Sequence, residues 1–288
     1  FMLSRKAADS DATTIVFCGV HFMAESADVL TRDEQAVLMP TLRAGCSMAD
    51  MATLSEVERD WPAMLEQGGW ADPAEREDPT APASEGDAFL VPVTYMNSSA
   101  ALKDFVGRHG GVVCTSSNAR GVLEWAFKRA GEGGAVLFFP DQHLGRNTGL
   151  KMGLEEDRMP VWIPEMGATG DLNEARIVLW HGFCSVHKRF TAEQIAEFRT
   201  RHPEGVVVVH PECPRATVEA ADADGSTEYI KRFIDAQPPG SSIAVGTEIN
   251  MVARMAKEHP DKHIECLDAE VCPCSTLSLI HISEPTRL

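Results

Sequence analysis

At 288 residues and 44% hydrophobic, the chain is long enough to bury a large core and to divide into two or three compact units. Its 43 acidic residues against 26 basic ones leave a net charge of −17, which disfavours nucleic acid or an anionic membrane surface as partner. No apolar run approaches the ~20 residues of a membrane span, and FMLSRKAADSDATT lacks the apolar core of a signal peptide, so a cytoplasmic protein is expected.

The chain opens on helical spacing, LSRKAADSDA, running into a strand, TIVFC; Phe1 in place of an initiator Met predicts that sequence has been lost upstream. Short apolar runs then recur as AVLMP, FLVPVTY, GVVCT, AVLFFP, RIVLW, GVVVVH, SIAVG and HIECL. Between them lie segments of helical period, AALKDFVGRHG, ARGVLEWAFKRAG, TAEQIAEFRTRH and STEYIKRFIDA. Continuous apolar strands alternating with amphipathic helices predict parallel sheets covered on both faces, an α/β fold. The runs fall into three α/β units, 1–87, 88–172 and 173–276. Within the first, residues 67–87 are rich in Pro, Gly, Ala and acids, a composition expected to form a mobile surface insertion rather than a packed face. Residues 277–288 share no period with what precedes them and are expected to be a non-native tail.

Polar residues crowd the ends of these strands, where open parallel sheets bind ligands. Helix capping accounts for many single Ser, Thr or Asn residues there. It does not account for His143, His181, His187, His210, Glu212 and Glu248 all sharing that position. Several strand ends facing one centre would assemble a polar pocket.

The eight cysteines are scattered through a core-rich chain, which argues against a secreted disulfide framework. Cys18, Cys114 and Cys266 sit in or beside apolar runs and read as inert core thiols; Cys213, in HPECP, is left open. Cys46 in AGCSMAD, Cys184 in HGFCSVH and Cys274 in CPCSTL lie one per unit, too far apart for a zinc pattern. Taken alone, Cys272-Pro-Cys274 reads as a redox or zinc half-site.

The segments FCGVHFMAE, AGCSMAD, YMNSSA, CTSSNA, FPDQHLGRN, HGFCSVHKRF, HPECP, GST, GTE and CPCST, in this order, resemble the quinolinate synthase family over nearly all of residues 3–276. The resemblance implies three small three-layer α/β domains around a pseudo-threefold axis, with a [4Fe-4S] cluster in a central active site held by Cys46, Cys184 and Cys274. Cys272 is then an accessory thiol. With three protein ligands one iron keeps an open position and can act as a Lewis acid. The activity implied is condensation of iminoaspartate with dihydroxyacetone phosphate to quinolinate, phosphate and water in NAD biosynthesis. An L-aspartate oxidase or aspartate dehydrogenase would be the functional partner that supplies iminoaspartate. The family's upstream His, Tyr and Ser have no counterpart before LSRKAA, so the chain as given is expected to be inactive by itself.

Both substrates are anionic, and Tyr95, Asn97, Ser116, Ser226 and Thr227 are suited to carboxylate and phosphate oxygens. Glu212 is the expected proton-transfer group, its pKa raised toward neutrality by burial, with His210 as anion partner. His143, His187 and Glu248 are expected to support them from behind. Two alternatives stay open: another cluster-dependent hydro-lyase acting on a small anion, and a non-enzymatic iron–sulfur protein.

Overall fold

The computed structural model describes residues 2–268. The first unit holds α1 (Met2–Ala8), β1 (Thr14–Val16), α2 (His21–Leu30) and β2 (Ala36–Leu38), followed by α3 (Leu54–Gly68). Next come β3 (Leu90–Tyr95), α4 (Ala100–Arg108), β4 (Val112–Cys114), α5 (Ala119–Ala130), β5 (Ala135–Phe139), α6 (Gln142–Lys151), β6 (Val161–Ile163), β7 (Gly167–Ala168) and β8 (Ile177–Trp180). The last stretch has α7 (Ala192–Arg201), β9 (Val206–Val209), α8 (Arg215–Ala220), β10 (Ala223–Asp224), α9 (Thr227–Ala236), β11 (Ser242–Gly246), α10 (Ile249–Glu258) and β12 (His263–Cys266).

These strands form a parallel pair β1-β2, a six-stranded sheet ordered β4-β3-β5-β8-β6-β7, and a four-stranded parallel sheet ordered β10-β9-β11-β12. Only β7 runs antiparallel among the described strands, returning on β6 as a short hairpin. The α/β class read from the sequence is what the structure shows. Along β5 the side chains alternate: Val136 and Phe138 pack toward Leu123 and Ala126 of α5, while Ala135, Leu137 and Phe139 pack toward Trp61 of α3 and Phe105 of α4. A strand buried on both faces has no polar side to display, which is why these runs are continuously apolar. In the four-stranded sheet, Val207 and Val209 face one core and Val208, Ile243 and Val245 the other.

Three expectations need correction. The strand Ile177–Trp180, grouped by sequence with the third unit, pairs with β5 and β6 of the second sheet, so the boundary at 172 falls too early. Its apolar run is equally compatible with either sheet, and only pairing partners decide. Residues 67–87 are not a loose insertion but a strap packed on the second sheet. Trp70 and Pro73 are buried, Trp70 Nε1 donates to Gly133 O at 3.0 Å, and Arg76 lies over the Phe89 ring. Finally, the β1-β2 pair is not covered on both faces: Val16 is 61% and Leu38 52% exposed, and Cys18 is exposed rather than in a core.

Candidate active site

Each loop of the site is set by the strand before it and the helix after it. β9 runs into His210-Pro211-Glu212-Cys213, a tight turn closed by Cys213 N to His210 O at 3.0 Å and tied to β11 through His210 N to Gly246 O at 3.0 Å. β3 delivers Tyr95, and the turn beyond it is fixed by Thr94 Oγ1 donating to Ser98 Oγ and Ser98 Oγ to Tyr95 O. β8 leads to Cys184 through Gly182, where an added Cβ would lie 2.3 Å from Pro140 O. Only glycine allows the backbone to pass that closely.

Glu212 is the hub. It is 3% exposed, and His187 Nδ1 lies 2.8 Å from its Oε2. The Tyr95 hydroxyl interacts electrostatically with the same carboxylate and with Ser116. His187 Nε2 lies 3.2 Å from Thr247 Oγ1. A consistent network has His187 donating from Nδ1 to the carboxylate and accepting the Thr247 hydroxyl at Nε2. His210 stacks on His187 with ring centroids 4.5 Å apart, and its Nδ1 accepts the Glu212 N–H at 3.4 Å. That leaves Nε2 as the protonated nitrogen of His210, a donor suited to an anionic oxygen.

Burial drives the Glu212 carboxyl up, but its pairing with His210 and His187, the hydrogen bond from His187 and the Tyr95 hydroxyl outweigh it and hold the group at about 2. The expectation of a pKa raised toward neutrality is therefore corrected, because the charged form has partners enough to replace water. Burial lowers His210 to about 4, and His143, half-buried in the first turn of α6, also to about 4. Burial, reinforced by the Glu212 charge, raises the Tyr95 hydroxyl and the Cys184 thiol.

Cys46 and Cys184 lie on neighbouring loops: Ser47 Oγ and Ser185 Oγ, one residue beyond each, are 3.2 Å apart, and both cysteines pack against the same core cluster. Cys274 and Cys272 lie outside the described residues. Cys184 Sγ, a His187 nitrogen and a Glu212 oxygen fall within 4.8 Å of one another, so this corner can hold a metal. Both His187 nitrogens are already engaged, which leaves the Cys184 sulfur and the Glu212 carboxylate as donors; with Cys46 on the neighbouring loop, the soft sulfur donors are compatible with an iron–sulfur group. Cys114 and Cys213 are fully buried and Cys213 Sγ points at Gly246 O, so both are core thiols. Cys266 is half-buried with Sγ 3.5 Å from Thr247 O, closer to the site than its sequence suggests. A second group, His202, His263 and Glu265, is at the surface, where Arg201 already pairs with both Glu265 oxygens.

Not every expected residue joins the hub. Glu248 caps α10, accepting from Asn250 N and Met251 N at 3.0 Å, so its carboxylate is engaged by its own helix rather than by the histidines. Ser226 caps α9 and Thr227 is exposed, while Asn97 is half-buried beyond β3. Ser116 and Ser117 nevertheless share a cavity of about 190 Å³ with Asp224 and Gly225, which brings the TSSN and GST segments together, with Arg120 and Lys151 on its wall. Sequence reasoning missed Thr247, Asp141 and these two cations. Asp141 is fully buried and accepts from Leu144 N at 2.7 Å and Cys184 N at 3.1 Å. Its place just before a helix, in FPDQ, was the available signal.

Fold and site together define an α/β protein that gathers cysteine, histidine, glutamate and tyrosine from several strand ends at one buried, metal-competent corner. The family model for NadA, the quinolinate synthetase A protein, matches residues 1–287, and the chain belongs to that family. Proteins named quinolinate synthase are similar to it: one from Corynebacterium glutamicum is 54% identical over 98% of this chain and 68% of its own length. One from a Nocardioides species is 51% identical over 98% of this chain and 70% of its own, and one from Geobacillus kaustophilus 47% identical over 96% and 70%. No helix among the described residues is long and apolar enough to cross a membrane.

Proposed function

We propose that this chain is the core of a quinolinate synthase that condenses iminoaspartate with dihydroxyacetone phosphate, releasing phosphate and water, in NAD biosynthesis. The observation that carries the reading is the buried Tyr95–Glu212–His187–Thr247 network beside Cys184, in a chain of this family. A [4Fe-4S] cluster held by Cys46, Cys184 and Cys274 would supply an open iron as Lewis acid. The remaining chemistry belongs to side chains. His210, with its proton on Nε2, offers a donor to a substrate oxygen, and Tyr95 can serve another only by turning its single O–H away from Glu212. Ser116, with Ser226 and Thr227 at the start of α9 and Asn97 beyond β3, receives the phosphate and carboxylates, and His143 stands close behind. Glu212 enters ionised and accepts the proton that ring closure and water loss release. The negative charge of two bound substrates raises its proton affinity above the resting value, so it becomes a competent base only once the site is filled.

The test is an anaerobic assay on protein reconstituted with iron and sulfide, containing this chain at the length of its relatives. It should form quinolinate from the two substrates. Glu212→Gln should keep the cluster's absorbance and lose turnover by about 10²–10⁴-fold, the usual worth of a proton-transfer group. A Gln variant turning over near the wild-type rate would make Glu212 structural, and a wild-type protein yielding no pyridine product would sink the reading.

A further inference from the structure

We propose that helix α6 braces the proton-transfer loop and that Asn147 is its positioning residue, holding the His210–Cys213 turn so that Glu212 meets Tyr95 and His187. The inference rests on the quinolinate synthase reading only for what the loop does, not for how it is held.

Asn147 is 3% exposed, and its amide nitrogen donates at 2.8 Å to Pro211 O and at 2.8 Å to Cys213 O. Those two carbonyls flank Glu212, so one side chain fixes the turn on both sides of the carboxylate. An amide has two N–H donors and both are used here; a hydroxyl would have one and a carboxylate none. The acceptors are in a buried region, where an unmatched carbonyl would be costly.

The helix is itself firmly seated. A Cβ at Gly145 would lie 2.5 Å from Leu179 Cδ2 and 2.7 Å from Phe138 Cδ1, so α6 rests directly on β5 and β8. At its start, Asp141 accepts Cys184 N, and Gln142 N donates to Gly182 O at 2.9 Å. One helix of the second sheet therefore holds the Cys184 loop at its first turn and reaches the third-sheet loop at its second. Gly145, Asn147, Thr148 and Gly149 are all poor helix formers. A run of them inside a helix is a local conflict that tertiary contacts must justify, and these contacts do so.

The test compares Asn147→Asp and Asn147→Ser with wild type in the cluster-loaded enzyme, measuring kcat, both KM values, cluster absorbance and amide hydrogen exchange across residues 207–215. Asn147→Asp keeps the shape but turns a carboxylate on two carbonyls. It should lower kcat by at least about 30-fold with KM changed by less than about threefold, as misplacement of a reacting group does. Exchange of the His210, Glu212 and Cys213 amides should rise about tenfold while cluster absorbance stays. Asn147→Ser, with one donor, should fall between Asp and wild type, and it carries the test if the Asp variant does not fold. A space-filling Asn147 predicts an Asp variant close to wild type, and that result, or unchanged exchange at His210, Glu212 and Cys213, overturns the proposal. Absence of quinolinate from the wild-type enzyme would remove the functional reading while leaving the exchange comparison to decide the brace.

Discussion

Lys103 carries its ammonium into the seam between α2 and α4, where Nζ donates to Ser98 O at 2.7 Å and Ser26 Oγ at 3.3 Å and lies 5.6 Å from the centre of the Phe22 ring. Burial lowers its pKa from 10.5 to about 8. Between those values the unfolded chain holds a proton that the folded chain has released, so stability rises with pH across the window, and below about 8 the penalty for burying the charge is complete. Against a Lys103→Met variant, whose seam does not titrate, wild type should gain on the order of 2 kcal/mol from pH 8 to 10.5, after discounting for partial exposure. Urea unfolding of both proteins at the two pH values checks this, and a constant difference would show that Nζ is effectively solvated. Lys103 is one lysine in an amphipathic pattern, and nothing in ALKDF marks it as buried. Glu212 shows the same limit: HPECP identified the residue, but the number of donors that fold around it decided the direction of its pKa.

At the scale of elements, the strap of residues 67–87 shows how composition misleads. Its Pro, Gly and acidic content suggested mobility, yet Asp72 pins it by accepting from Trp61 Nε1 at 2.8 Å, His109 Nδ1 at 2.8 Å and Ala74 N at 2.9 Å. Burial pushes the Asp72 carboxyl up, and the hydrogen bonds from His109, Ala74 N and Trp61 outweigh it to leave the pKa below 3.8. Such a group contributes stability above its unfolded pKa and loses it as pH falls through the folded one. Asp72→Ala should cost about 2–4 kcal/mol at neutral pH, since three donors lose their acceptor. Limited proteolysis should then cut the strap in the variant before the rest of the chain. If wild type and variant are cut alike, the strap is not held by Asp72. The strands, by contrast, were legible. Each of the nine apolar runs became a strand, because a run of apolar, β-branched residues between turn signals is a local pattern that sheet pairing keeps even where, as in β1 and β2, one face stays exposed; the short VWI, GA and AD strands, β6, β7 and β10, were missed because two or three residues carry no period.

For the whole molecule the cysteines give the sharpest prediction. Cys46→Ser, Cys184→Ser and Cys274→Ser should each abolish the visible absorbance of the reconstituted protein, whereas Cys18→Ser, at an exposed site, should leave it unchanged. Loss of the chromophore in Cys18→Ser, or its survival in Cys184→Ser, would reassign the ligands. The sequence by itself determined the α/β class, nine of the strands and the placement of Tyr95, His187, His210 and Glu212 at or beyond strand ends, because hydrophobic period and polar strand ends are local properties of the chain. Only the tertiary structure decided which sheet takes Ile177–Trp180, how the strap packs, that Thr247 rather than Glu248 bonds His187, and that Asn147 spans from one sheet's helix to the other's loop. Those depend on partners far apart in sequence, brought to hydrogen-bonding distance by pairing and packing that no local pattern encodes.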